Sequence, residues 1–181
     1  MNGLPLHPAI VHMSLALAML MPVMAIGFAW VLWVGRLGTR PWLAVVALQA
    51  LLVGSALLAI NTGGAEEDRV ESIVQESALH QHEEFAEQFA WAGGATLALA
   101  VLVLFFRRPR VSRALTGAVV VATVAVAGLG LRVGHAGGQL VYVHGAAAAY
   151  TSPARANGGT LSGSASISPQ NHDRDDGARG R

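Results

Sequence analysis

Apolar residues run in four long stretches, 8–34, 42–60, 85–106 and 114–134, separated by short polar connections. About 20 residues of helix cross the roughly 30 Å of bilayer hydrocarbon, so the pattern predicts four membrane-spanning helices. Proline marks their margins. Pro8 suits a first helical turn, where its missing N–H has no partner to lose, and Pro41 and Pro109 punctuate loops. Pro22, inside the first stretch, predicts a kink. Gly93, Gly94, Gly128, Gly130 and Gly134 read as small-residue surfaces that let helices approach closely in lipid.

Between the second and third stretches the pattern changes. At 100° per residue, Val70, Val74, Ala78, His82, Phe85 and Phe89 share one stripe, and Glu76, His80, Glu83, Glu84 and Glu87 share the opposite side. An amphipathic helix leading into the third span is expected, with His82 toward the protein and His80 toward water; Ile73 and Leu79 fall off its stripe. From residue 146 the chain turns small, polar and rich in Gly, Ser and Pro, a composition that cannot offset its ordering entropy. The expected organisation is therefore an all-α, integral membrane four-helix bundle over 1–145 and a disordered polar tail over 146–181, which holds His172.

Composition agrees with a membrane class. The 181 residues are 53% hydrophobic and 13% charged, with a net charge of +1. That charge offers no basic surface for nucleic acid. Loop charge sets an expected orientation: Arg36 and Arg40 lie in the first connection and Arg107, Arg108, Arg110 and Arg113 in the third, whereas the second is acidic. The positive-inside rule then puts the first and third connections in the cytoplasm and both termini on the outer, periplasmic side of a bacterial inner membrane. The amino terminus lacks a basic leader and a small-residue cleavage pattern, so the first stretch is expected to be a retained helix.

No cysteine occurs, which removes disulfides, thiolate metal sites and c-type haem attachment. Histidine is the main ligand left. In the expected topology His7 and His12 open the first helix, His82 approaches the third, and His135 and His144 close the fourth, all on the outer side. Such a cluster suits three chemistries: a bis-histidine haem b between helices, a zinc or copper site completed by Glu66, Glu67 or Glu83, or proton handling by imidazoles beside carboxylates. Arg132, beside His135 and against the charge bias, would answer a haem propionate, an acidic side chain or lipid headgroups. Methionines 13, 19, 21 and 24 read as lipid-facing or core filler. No nucleophile, base and orienter constellation appears, so a free-standing enzyme is not expected.

Taken together, HPAIVHMSLAL, NTGGAEEDRVE, HEEFAE and GHAGGQLVYVHG resemble, in order and spacing, the bacterial membrane proteins of domain-of-unknown-function family 2231, over residues 6–145. The resemblance points to His7, His12, His82, His135 and His144 and passes over His80 and His172; Met13 and Ser14 stand where the family commonly has Phe and Pro. It implies no activity. Some relatives are grouped with four-helix b-type cytochromes, which implies haem by analogy. The functional expectation is a membrane redox subunit that binds haem b and passes electrons to a partner protein, with His12 and His144 as the first ligand pair and His82 and His135 as the competing one. The metal set, were a metal bound instead, would be His12, His82, His135 and His144. The glycines of the 134–145 stretch are expected to let the chain leave the fourth helix and fold back, bringing His144 above His12.

Overall fold

A computed structural model describes residues 6–34, 40–70, 74–106 and 108–146. They form α1 (Leu6–Val34), α2 (Trp42–Val70), α3 (Glu76–Phe105) and α4 (Pro109–Tyr142), with no strand among the described residues. All four helices are long and apolar enough to span a membrane. The 29 residues of α1 alone reach about 44 Å at 1.5 Å per residue, more than the hydrocarbon thickness. This is a multi-pass membrane protein.

Two helices run further than their apolar stretches. α2 continues through Thr62, Gly63 and Gly64 to Val70, and α4 continues through Gly134, Gly137 and Gly138 to Tyr142. The expected fold-back at the 137–138 glycines does not occur. Each helical glycine costs up to about 1 kcal/mol, but unwinding would orphan backbone groups at the membrane rim. The chain turns only at Gly145, whose φ of 74° suits glycine, with Val143, His144 and Ala146 N–H groups donating to the Gln139 and Leu140 carbonyls.

The amphipathic extension also differs. α3 starts at Glu76 after an extended Gln75, so Val70, which ends α2, and Val74, in the connection, do not belong to its stripe. Counted from Glu76, Leu79 joins His82, Phe89 and Gly93 on the inner face, and Leu79 is buried with Val70, Val74, Leu140 and Ala146 in a small cluster above the main core. Ile73 and the 147–181 tail lie outside the described residues. Pro22 is held within α1, which continues through it as a single helix.

Each helix packs on its two neighbours in a closed cycle, α1–α2–α3–α4. The interior mixes small and polar residues with a few large apolar ones, Met21, Trp42, Leu52 and Phe89 among them, while many large apolar side chains point out. Ala18, Ala25, Ala100, Ser14, Ser55, Thr96, Thr123 and Gln49 are buried, whereas Val23, Ile26, Trp30, Leu58, Val121 and Leu131 are exposed. Lipid tails are as apolar as leucine, so helices gain from meeting each other only by close packing and hydrogen bonds. The bonds are there: Ser14 donates to Ser55 at 2.9 Å, Trp42 Nε1 to the Ala100 carbonyl at 2.9 Å, and Gln49 Nε2 to the Gly93 carbonyl at 3.1 Å.

The buried positions recur. On α2, Trp42, Val45, Gln49, Leu52 and Ala56 are buried; adding 74 to each number gives Thr116, Val119, Thr123, Val126 and Gly130, all buried on α4. On α1, Ser14, Ala18, Met21 and Ala25 are buried; adding 75 gives Phe89, Gly93, Thr96 and Ala100, all buried on α3. The α1–α2 and α3–α4 hairpins thus repeat one another with the same direction and inward register. The closed packing cycle relates them by an approximate twofold axis along the bundle, the arrangement of parallel internal repeats in membrane proteins.

Gly130 tests the close-packing account. A Cβ built there lies 3.3 Å from Phe89 Cε2, 3.4 Å from Leu15 Cδ2 and 3.5 Å from Ala18 Cβ, whereas one at Gly128 meets nothing within 4 Å. Gly130→Leu is expected to destabilise by about 1–3 kcal/mol through overpacking. Gly128→Ala should instead be neutral or stabilise by up to about 1 kcal/mol. Unfolding of both variants in mixed micelles measures the contrast.

Candidate functional site

The end of the bundle where α1 begins and α4 ends carries the histidines and the exposed Glu76, Glu84 and Glu87; the opposite end carries the exposed Arg40, Arg108, Arg110 and Arg113. Among the described residues, no three of His, Cys, Asp and Glu gather into a metal-holding group. The four-histidine metal set is therefore not assembled as a unit, and the side chains of Glu66 and Glu67 lie outside those described. The imidazoles divide instead between two settings.

The first setting is the inner mouth. The His7 ring, half-buried on α1, meets α2, with Nδ1 3.1 Å from Thr62 Oγ1. The Thr62 hydroxyl proton is already committed to the Leu58 and Ala59 carbonyls at 2.9 and 3.1 Å. Thr62 Oγ1 can then only accept from His7, so Nδ1 carries the proton and Nε2 is left with its lone pair. A Cβ at Gly63 would stand 3.3 Å from His7 Cε1, so this glycine seats the ring.

His82, on α3, occupies the equivalent place. A Cβ at Gly137 of α4 would stand 3.2 Å from its Cε1 and 3.7 Å from its Nδ1, close to the 3.3 and 3.8 Å that Gly63 shows to His7. The Val133 carbonyl is the backbone acceptor beside His82, yet Nδ1 is buried without closing a hydrogen bond.

The second setting is lateral. His12 and His135 line one cleft of about 390 Å³ between α1 and α4, with Leu15, Ala16, Met19, Gly130, Leu131 and Gly134. Its volume falls within the range of small-molecule sites. His12 Nδ1 lies 2.6 Å from the Pro8 carbonyl, an acceptor only, so Nδ1 donates and the lone pair of Nε2 is free. Metal-ligating histidines are commonly held by this second-nitrogen bond. Met19 lines the cleft and Met21 is core, as filler residues do.

His144 follows α4, its backbone N–H bonded to Gln139. Arg132 lies over the Phe85 ring, 5.3 Å from its centroid, so an aromatic face on α3 is its partner. His80 is exposed as expected and faces Glu76 and Glu83 at 3.6 and 3.2 Å. Sequence reasoning missed Thr62, Gly63 and Gly137, which seat the inner rings. The signal was the recurrence of NTGG at 61–64 as HAGG at 135–138, offset by the 74 residues that relate α2 to α4.

The proton assignments can be checked directly. Above the ordinary titration range of histidine, imidazole ¹⁵N shifts should show His7 and His12 both protonated at Nδ1. Thr62→Val should scramble the His7 signal and leave that of His12 alone; two Nε2-protonated rings would refute the assignment.

Compared with protein families, curated proteins and solved structures, the chain matches none.

Proposed function

We propose that this membrane protein binds haem b in the α1/α4 cleft and serves as an electron carrier for a partner redox protein. The observation that carries this reading is His12. Its Nδ1–H is fixed on the Pro8 carbonyl, so Nε2 is a ready ligand at the rim of an apolar cleft that it shares with His135. The chemistry of the donor set fits: neutral imidazole suits haem iron, and the remaining residues that line the cleft are apolar.

In this reading His12 and His135 would hold the iron, and Leu15, Met19 and Leu131 would supply apolar walls around it. The bound haem supplies one-electron chemistry. The residues of the chain do the binding and orienting. The arginine-bearing end faces the cytoplasm of a bacterial inner membrane and the histidine end faces outward, in keeping with the positive-inside rule. Membership in domain-of-unknown-function family 2231 belongs to the same proposal, supported by the motif order along residues 6–145.

Protein purified in mild detergent, with haem supplied if needed, should give a b-type reduced-minus-oxidised spectrum. His12→Ala should abolish it, His135→Ala should abolish or shift it, and His80→Ala, on an exposed site, should leave it intact. A wild type that stays colourless with haem present, or a His12→Ala variant with the full spectrum, overturns the reading.

A further inference from the structure

We propose a second site, at the arginine-bearing end of the α1–α4 seam: a groove there takes one acyl chain of an anionic phospholipid, and Arg113 and Arg110 hold its phosphate. The groove has a volume of about 280 Å³ and is lined by Ile26, Ala29, Trp30 and Trp33 of α1 and by Gly117 and Val120 of α4. Trp33 Nε1 donates to Thr116 Oγ1 at 2.9 Å, which ties the two helices together beside it. Trp30 and Trp33 are nevertheless 66% and 45% exposed, so the walls open toward lipid. Gly117 lies in the wall, and a Cβ built there meets nothing within 4 Å. The internal repeat shows what is missing. Position 117 less 74 is 43, and α2 carries Leu43 at that register, where the α2–α3 seam is the counterpart of α1–α4. One half of the repeat has a leucine side chain at this place and the other has only hydrogen.

Charge identifies the occupant. Residues 1–65 and 88–146 contain no Asp or Glu, so every carboxylate side chain of the four-helix region falls between Glu66 and Glu87, at the histidine end. Asp173, Asp175 and Asp176 follow α4, which also ends there. Arg113 and Arg110 are exposed, four and seven residues before Gly117, spacings that put them on the same face of α4 as the groove. Helical side chains lean toward the helix N-terminus, so both guanidinium groups extend from the groove toward the membrane surface. The chain thus supplies two cations here and no acidic side chain to meet them. Lipid supplies the rest: hydrocarbon for an apolar slot between helices, and phosphate, which guanidinium matches in geometry and charge. Tryptophan at this level suits the headgroup boundary. A zwitterionic lipid offers the same chain, but its ammonium group offsets the attraction. Basic pockets between membrane helices hold anionic headgroups in this way. The groove shares no lining residue with the His12–His135 cleft, so the proposal does not rest on haem binding.

The test is native mass spectrometry of the purified full chain in detergent, titrated with dioleoyl phosphatidylglycerol or dioleoyl phosphatidylcholine. Wild type should retain one phosphatidylglycerol in clear preference to phosphatidylcholine. Arg113→Gln should weaken phosphatidylglycerol binding about fivefold, the equivalent of about 1 kcal/mol for one arginine at a membrane surface, and leave phosphatidylcholine unchanged. Gly117→Leu supplies the side chain that Leu43 provides in the other half, and should lower retention of both lipids while the helical circular dichroism spectrum is kept. Gly128→Leu, at another α4 glycine with open surroundings, should change neither. If a variant fails to fold, wild type in vesicles decides: phosphatidylglycerol brominated on its chains should quench tryptophan fluorescence more than equally brominated phosphatidylcholine at the same mole fraction. Equal retention of the two lipids by wild type, equal quenching, or full phosphatidylglycerol binding by a folded Arg113→Gln or Gly117→Leu variant overturns the proposal. So does a lipid-free dimer that Gly117→Leu dissociates, which would give the groove to a second copy of the chain.

Discussion

Water drives helices together by the hydrophobic effect, but lipid does not. In this protein the interior is consequently held by how closely the backbones approach, and close approach requires small side chains. Gly93 and Gly130 sit where neighbouring side chains come to 3.3–3.4 Å of an added Cβ. Alanine, serine and threonine fill much of what is left, beside Met21, Trp42, Leu52 and several buried valines, while many other valine, leucine and tryptophan side chains turn outward. Interhelical hydrogen bonds from Ser14, Trp42 and Gln49 add register at about 0.6 kcal/mol each on average. They select which turn of one helix faces which turn of the next; glycine and alanine supply the closeness.

The same device builds both histidine settings. Gly63 and Gly137 let an imidazole from the neighbouring helix lie against backbone, and Gly130 and Gly134 let Leu15 of α1 close on α4 beside His12 and His135. An imidazole seated on helix backbone finds carbonyl groups, which is how His12 comes to be fixed on Pro8 within its own first turn. Placement of rings and choice of tautomer thus follow from where side chains are missing.

Much of this is legible in the sequence. Four apolar stretches fix the four helices, and the absence of cysteine directs attention to histidine. The side His80 takes follows from its place among acidic residues. Helix ends were less legible: apolarity stops at 60 and 134, but hydrogen bonding within a helix does not depend on apolarity, so α2 and α4 continue into polar sequence. The glycine pairs read as turn signals because glycine permits turns; nothing local says that a ring from another helix occupies the space instead. Leu79 falls off the stripe only when the phase is counted from Val70, across a break that moves the register. The gathering of the imidazoles into one pocket failed for a related reason. Residues at the same depth on a bundle can face its axis or its flank, and His7 and His12, five positions apart, are rotated by about 140°.

The internal repeat explains why the two mouth histidines are alike in pose and unlike in bonding. A twofold-related pair would ordinarily have identical partners, and identical partners would fix both rings equally. Here Thr62 supplies an oxygen to one ring and Ala136 supplies a methyl to the other. A buried polar atom left without a partner costs about 1–3 kcal/mol, and His82 Nδ1 is such an atom. Filling the gap with a hydroxyl at position 136 would make the halves equal, and by the same reasoning it would stabilise the mouth by satisfying the nitrogen that now has no partner.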